Sequence, residues 1–183
     1  MATILSWQDS PTLKLGEGSF GSVFAGTDGR QRAVAIKLLG REQRKNAHLY
    51  GRMFHTEVNI LSRFHHPNII KLYRHGKAID GTHQMALVYE RIATDLAHEI
   101  QKGNTFTAAD RLNIAIDTAR GLTFMHGQET VESKSPTTRV NGMAEHPCWH
   151  RDIKSANIGI TKDRRGKLLD VGLPNQESMW YAP

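Results

Sequence analysis

Along the first forty residues, apolar positions come in short runs broken by glycine, at 13–15, 22–25 and 33–38. Runs this short and this rich in Val, Leu, Ile and Phe predict β-strands, and Asp28-Gly29 between the last two predicts a hairpin turn. After Gly40 a charged segment, 41–52, leads into Phe54, Val58, Leu61 and Phe64. Spacings of three and four place those four side chains on one helix face, and His66-Pro67 predicts the helix end. Runs at 69–73 and 85–89 predict two more strands, with Asp80-Gly81 in the turn between them.

From about Thr94 the pattern turns helical. Thr107 is a candidate N-cap, with Asp110 three residues on as a shorter stand-in for the capping-box Glu. Leu112, Ala115, Ile116, Ala119 and Leu122 then form a stripe at helical spacing that ends near Gly127. Residues 128–148 are rich in Ser, Thr, Pro and charge and show no period, which predicts a surface loop inserted into the domain. Runs at 158–160 and 167–169 predict a short hairpin. No internal repeat and no low-complexity tract interrupts the chain.

Composition narrows the class without naming it. At 183 residues the chain is one domain, or two small lobes sharing a cleft. Hydrophobic residues at 39% and charged residues at 23% are ordinary for a globular protein, which rules out disorder for most of the chain. The net charge of +6 suits an anionic ligand, but scattered surface lysines account for it equally well. Cys148 is the only cysteine, so no intrachain disulfide forms and a reducing compartment fits. The N-terminal residues have no signal-peptide pattern, position 2 is Ala rather than the Gly of a myristoylation site, and no apolar run approaches a membrane span. The expectation is a soluble intracellular protein, cytoplasmic or the intracellular part of a longer one.

Three strings carry candidate chemistry. Gly16, Glu17, Gly18, Ser19, Phe20, Gly21, Ser22 and Val23 form a G-x-G-x-x-G-x-V pattern. Glycines so spaced let backbone amides approach phosphates, although glycine-rich turns without a ligand are common. A strand follows rather than a helix, which argues against a dinucleotide fold, and no Walker-type string is present. Lys37 ends an apolar run, where it either reaches solvent or serves as a fixed ammonium paired with a carboxylate; Glu57 is the candidate partner. The third string is His150-Arg151-Asp152-Ile153-Lys154-Ser155-Ala156-Asn157, followed by Asp170-Val171-Gly172. Phosphoryl transfer needs a carboxylate to orient a hydroxyl, oxygen ligands for Mg²⁺ and a cation for the moving charge. Asp152, Asn157, Asp170 and Lys154 supply these in order.

With all three strings together, the chain resembles a eukaryotic protein kinase of the serine/threonine type, from about Leu13 to the last residue. The wording, including Leu87-Val88-Tyr89-Glu90, is similar to the tyrosine-kinase-like and plant receptor-like branch. The resemblance implies an α+β fold: an N-lobe with a five-stranded antiparallel sheet and one helix over about 1–92, then an incomplete, mainly helical C-lobe over 93–183 with the loop 128–148 inserted. It also implies ATP and Mg²⁺ as cofactors and a protein bearing Ser or Thr as substrate. Gly16 to Val23 would cover the ATP phosphates, with Leu15 and Ala35 also lining the nucleotide site. Lys37 would bind the α/β-phosphates and pair with Glu57. Tyr89 would be the gatekeeper, with Glu90 to Ile92 as the adenine-binding hinge. Asp152 would be the catalytic base, Lys154 would steady the γ-phosphate, and Asn157 with Asp170 would hold Mg²⁺.

Several positions depart from the family pattern. Val171 replaces the usual Phe of Asp-Phe-Gly, and Gly159 stands where a Leu normally underlies the adenine. The segment from Asp170 to Trp180-Tyr181-Ala182-Pro183 is short, Ser178 being its candidate phosphosite beside the control implied by Arg151. The helices that follow in the family are missing, so the stripe at 112–122 is expected to be uncovered, awaiting a partner or a missing segment. These departures motivate two alternatives to an active kinase: a catalytically silent nucleotide-binding or regulatory module, and a non-functional fragment. His146, Cys148 and His150 lack a second ligand pair at zinc spacing, so a loop histidine and a free thiol are expected. The basic runs 41–52 and 162–167 carry no interleaved aromatics, which argues against nucleic acid.

Overall fold

The computed structural model describes residues 14–18, 21–38, 47–77, 85–103, 105–127 and 148–171. The chain divides into two units, residues 1–63 with 70–92, and residues 64–69 with 93–183.

The first unit is built on a five-stranded antiparallel sheet. Its strands are β1 (Lys14–Gly18), β2 (Gly21–Thr27), β3 (Ala33–Leu38), β4 (Leu72–Lys77) and β5 (Met85–Glu90), in the spatial order β1-β2-β3-β5-β4. Alternation sorts the side chains into two faces. Phe24, Val34, Ile36, Leu38, Ala86 and Val88 pack together on one face, with Tyr73 against them. Lys37, Ala35, Leu87 and Tyr89 belong to the other by register. Helix α1 (Ala47–Leu61) buries Phe54, Glu57 and Leu61 at spacings of three and four. The β2–β3 turn is braced by Asp28, whose carboxylate accepts from the Arg30 and Arg32 amides and from the Arg32 guanidinium at 2.6–3.0 Å. Those donors, the Arg32 side chain foremost, hold its carboxyl down at about 2.

In the second unit β6 (Thr94–Asp95), β7 (Ile158–Ile160) and β8 (Gly166–Leu168) form a small antiparallel sheet, and the expected 158–169 hairpin is present. Asp95 caps the short helix α2 (Leu96–Gln101) by accepting from the His98 amide. Helix α3 (Ala108–Met125) starts on the expected capping box, Thr107 Oγ1 accepting from the Asp110 amide while Asp110 accepts from the Thr107 amide. Phe106, Ile114 and Ile160 form the local core, with Leu96 and Ile158 against it.

Two expectations shift. Helix α1 stops at Leu61, and Phe64 instead meets Phe124 edge-on at 5.6 Å, beside His66 stacked on the same ring. The strand expected at 69–73 begins at Leu72, because Ile69 is spent on a parallel bridge to Leu168. On α3 the stripe is uncovered as expected, with Leu112 62% and Ile116 38% exposed, while a second row that the pattern did not reveal, Ile114, Asp117, Gly121 and Met125, is buried. A glycine and an aspartate hide that row from a hydrophobicity count, yet each is there for packing. Asp117 is fully buried and accepts from the Arg165 guanidinium at 2.6 and 2.7 Å and from the Gly166 amide at 3.0 Å. Gly121 lies so close to β8 that an added Cβ would sit 2.8 Å from both Asn68 O and Leu168 Cδ1. The loop expected over 128–148 and Ser178 lie outside the described residues, apart from Cys148.

Candidate active site

The glycine-rich string folds as the β1–β2 hairpin, with Gly16 opposite Val23, Glu17 opposite Ser22 and Gly18 opposite Gly21. Ser19 and Phe20 lie outside the described residues. Leu15 falls at a register shift between Lys14 and Gly16 and is 47% exposed. A Cβ on Gly16 would meet nothing within 4 Å, so internal packing is not what requires a glycine there. Gly16 is itself exposed, so the backbone there is open to close approach.

Behind it, Val23 pairs with Lys37 and Ala35 pairs with Tyr89, which places all four side chains on one face of the sheet. Lys37 does not reach for solvent. It is buried, and its Nζ lies 3.2 Å from each carboxylate oxygen of Glu57 on α1. Tyr89 donates its hydroxyl to Glu57 Oε1, a contact that sequence reasoning missed because 32 residues separate the two. At the end of β5 the Glu90 amide donates to Lys71 O, while its carboxylate accepts from the Lys71 amide at 2.8 Å. That clamp fixes where the strand gives way to Ile92, which is half-buried.

The second unit carries the other string. Asn157 donates its side-chain amide to both Asp152 O and Asp152 Oδ2, each at 2.9 Å. Lys154 Nζ lies 2.7 Å from the same Oδ2. The Lys154 contact, helped by Asn157, pulls the Asp152 carboxyl below its ordinary range, so it is ionised at neutral pH. One carboxylate oxygen is thus held by two donors, and the side chain is still 39% exposed for a hydroxyl to approach. The Leu169 amide donates to Asn157 O, and His150 Nε2 lies 2.8 Å from Leu169 O, lashing the loop to the residue before Asp170. Arg151 and Asp170 both take left-handed backbone, at φ 65° and 50°, a conformation that costs a non-glycine residue of order 1–3 kcal/mol and concentrates at functional sites.

The donor set suits a hard cation. Asn157 spends its amide hydrogens on Asp152, which turns its carbonyl oxygen to the other side, and Asp170 adds an exposed carboxylate. Burial raises the Cys148 thiol pKa, and His146 of the same cluster lies outside the described residues. Val171 is fully buried, and Gly159 on β7 pairs with Asp95 and Lys167.

A family model described as the protein kinase domain matches residues 11–179. The chain belongs to the protein kinase family. This kinase domain is 31% identical over 168 residues to a probable LRR receptor-like serine/threonine-protein kinase of Arabidopsis thaliana, covering 88% of the chain and 14% of that protein. It is 32% identical over 167 residues to cold-responsive protein kinase 1 and 35% over 173 residues to calmodulin-binding receptor-like cytoplasmic kinase 1, both of the same plant. These matches cover 87% and 89% of the kinase domain, and 37% and 31% of the relatives. The chain thus spans well under half the length of these curated relatives. Among the described residues no helix is long and apolar enough to cross a membrane.

Proposed function

We propose that this kinase domain transfers the γ-phosphoryl group of ATP to serine or threonine hydroxyls of an intracellular protein substrate. Residues 1–92 serve as the nucleotide-holding lobe and 93–183 as the lobe of the catalytic loop. The observation that carries the reading is the Asp152 carboxylate, ionised and gripped on one oxygen by Lys154 and Asn157. A carboxylate so held orients a substrate hydroxyl and accepts its proton as the oxygen bonds to the γ-phosphorus and the bond to ADP breaks. Lys154 balances charge on the moving group. Gly16 to Val23 cover the phosphates, and Lys37, steadied by Glu57, engages the α/β-phosphates. Leu15, Ala35 and Tyr89 shape the base site, with Glu90 to Ile92 as its hinge. Magnesium held by Asn157 and Asp170 would neutralise phosphate charge.

The test is transfer of labelled γ-phosphate from Mg-ATP to a generic basic protein, with Asp152→Asn as control. Transfer lost by a factor of 100 or more in the control is expected, the scale of a removed proton acceptor; equal transfer by the variant refutes the reading. Gly159 and Val171 favour a second reading, a silent nucleotide-binding module. It predicts stabilisation by Mg-ATP, about 2.7 kcal/mol at one hundred times Kd, with no transfer by wild type.

A further inference from the structure

We propose that the end of the first unit's sheet where β2 turns into β3 is a docking surface for a phosphorylated segment of a partner protein, its phosphoryl group taken between Arg32 and Arg74. The proposal is independent of the phosphoryl-transfer reading, because neither arginine belongs to the strings assigned to ATP or to catalysis.

The strand register brings three short stretches of sequence together there. Thr27 pairs with Ala33, Val34 with Glu90 and Leu72 with Tyr89, so the β2–β3 turn, the end of β5 and the start of β4 share one end of the sheet. That end carries Arg30, Arg32, Lys71, Arg74 and Arg91 against two carboxylates, Asp28 and Glu90. Glu90 accepts from the Lys71 amide. Asp28 is buried, and its Oδ2 gathers two guanidiniums, Arg32 Nη2 at 2.6 Å and Arg74 Nη2 at 3.4 Å. Positive charge is thus in excess, and it is ordered.

Order is what separates this cluster from scattered surface charge. Arg32 gives one edge to Asp28 through Nε and Nη2, and its guanidinium carbon stands 4.3 Å from the centre of the Tyr73 ring. Held by edge and by face, its side chain is still 43% exposed, with the remaining edge open to a ligand. Arg74 meets Asp28 in an ion pair without a hydrogen bond, so among the described residues its N–H donors are unspent. Lys71 Nζ adds a third cation 5.8 Å from the same ring. Asp28, with its pKa held at about 2, stays charged and keeps the arginines in place at neutral pH. Two guanidiniums side by side match the oxygens of a phosphoryl group, whose dianion offsets the excess charge better than a single carboxylate does. Tyr73 is already engaged by two cations, so it is not free to stack a nucleic-acid base. A free phosphate would use only the two guanidiniums; Arg30, Lys71 and Arg91, exposed around them, have the spread to meet acidic residues flanking the phosphate in a chain.

The test is fluorescence anisotropy, without nucleotide, of a labelled degenerate peptide pool with a fixed central phosphoserine, against the same pool with serine there. The phosphoserine pool is expected to bind about tenfold or more tightly, and Arg74→Gln to weaken it on the order of tenfold, the equivalent of a hydrogen bond between charged groups. Arg74→Lys keeps the charge but not the fork and is expected to recover only part of that loss. Lys162→Gln removes an exposed charge from the second unit and is expected to change binding less than about twofold. Equal binding of the two pools, equal binding by wild type and Arg74→Gln, or a Lys162→Gln loss as large as that of Arg74→Gln would each overturn the proposal. So would inorganic phosphate bound as tightly as the peptide pool, the mark of a free-anion site. Phosphatidylserine vesicles bound through Arg74 without any phosphopeptide binding would overturn it in favour of a membrane surface. If Arg74→Gln does not fold, Lys71→Gln takes its place, with an expected loss of about threefold.

Discussion

Among the described residues two glycines lie inside helices, and exchanging each for alanine should move stability in opposite directions. In a helix interior, alanine is favoured over glycine by roughly 0.5–1 kcal/mol, mostly through the unfolded chain's entropy. At Gly51 on α1 an added Cβ meets nothing within 4 Å, so Gly51→Ala should gain about that much. At Gly121 on α3 the Cβ would stand 2.8 Å from Asn68 O and Leu168 Cδ1, and 3.3 Å from Leu168 Cγ. The leucine has some rotamer freedom, but the carbonyl has little. Asn68 O accepts from the Leu168 amide at 2.9 Å, and Asn68 Nδ2 donates to Gly166 O at 3.0 Å, so pushing this backbone aside strains both bonds. Overpacking of this kind costs about 1–3 kcal/mol, which outweighs the helix gain and leaves a net loss of about 1–2 kcal/mol. At about 2–4 °C per kcal/mol, Gly121→Ala should melt roughly 2–8 °C below wild type and Gly51→Ala slightly above it. Urea unfolding of the three proteins, read as midpoint at constant slope, checks the same ordering. A Gly121→Ala protein as stable as Gly51→Ala would refute the close packing of α3 on β8.

His66 accepts from the Asn68 amide through Nδ1, and burial, with Lys167 and Arg120 nearby, holds its pKa below 6.5. A base depressed in the folded state contributes stability that is complete above about pH 6.5 and lost as pH falls toward the folded value, because the unfolded chain binds the proton first. Urea midpoints between pH 7.5 and 5.5 should therefore fall more steeply for wild type than for His66→Gln; parallel slopes would count against it. On the proposed ATP-binding reading, in which position 159 lies beneath the adenine, Gly159→Leu should add apolar contact there and lower KM for ATP about three- to tenfold, with kcat little changed. An unchanged or higher KM in steady-state assays would contradict that role for the position.

Much of the fold was legible where a segment declares itself locally. The run 33–38 is β3 to the residue, Asp28 turns the hairpin, and Thr107 with Asp110 closes a capping box that four letters spell out. The string 150–157 was visible for the same reason, and the structure brings its Asp152, Lys154 and Asn157 side chains together. What escaped depends on contacts distant in sequence. Gly121 and Asp117 face the interior of α3, where apolar letters were expected, because β8 comes too close for a side chain at one and supplies Arg165 and Gly166 to the other. Phe64 continues the α1 period in sequence yet serves Phe124, since Pro67 biases the chain ahead of it away from helix. The Tyr89–Glu57 bond needs both the β3–β5 register and the placement of α1, neither of which a run of letters encodes.

Residues 64–69 group with the second unit although the chain on either side of them belongs to the first. On the ribosome this sets an order of events. The sheet β1–β5 can pair as soon as residue 90 has emerged, but Asn68 must wait for Gly166, 98 residues later, before its side-chain amide finds its acceptor. At about 5–20 residues per second that interval is roughly 5–20 seconds. Throughout it, Ile69 lacks the Leu168 strand it will bridge, held in a stretch flanked by already folded chain. Vectorial synthesis thus makes β8 the closing stitch of the described fold, and a translational pause before residue 166 would lengthen the time that seam stays open.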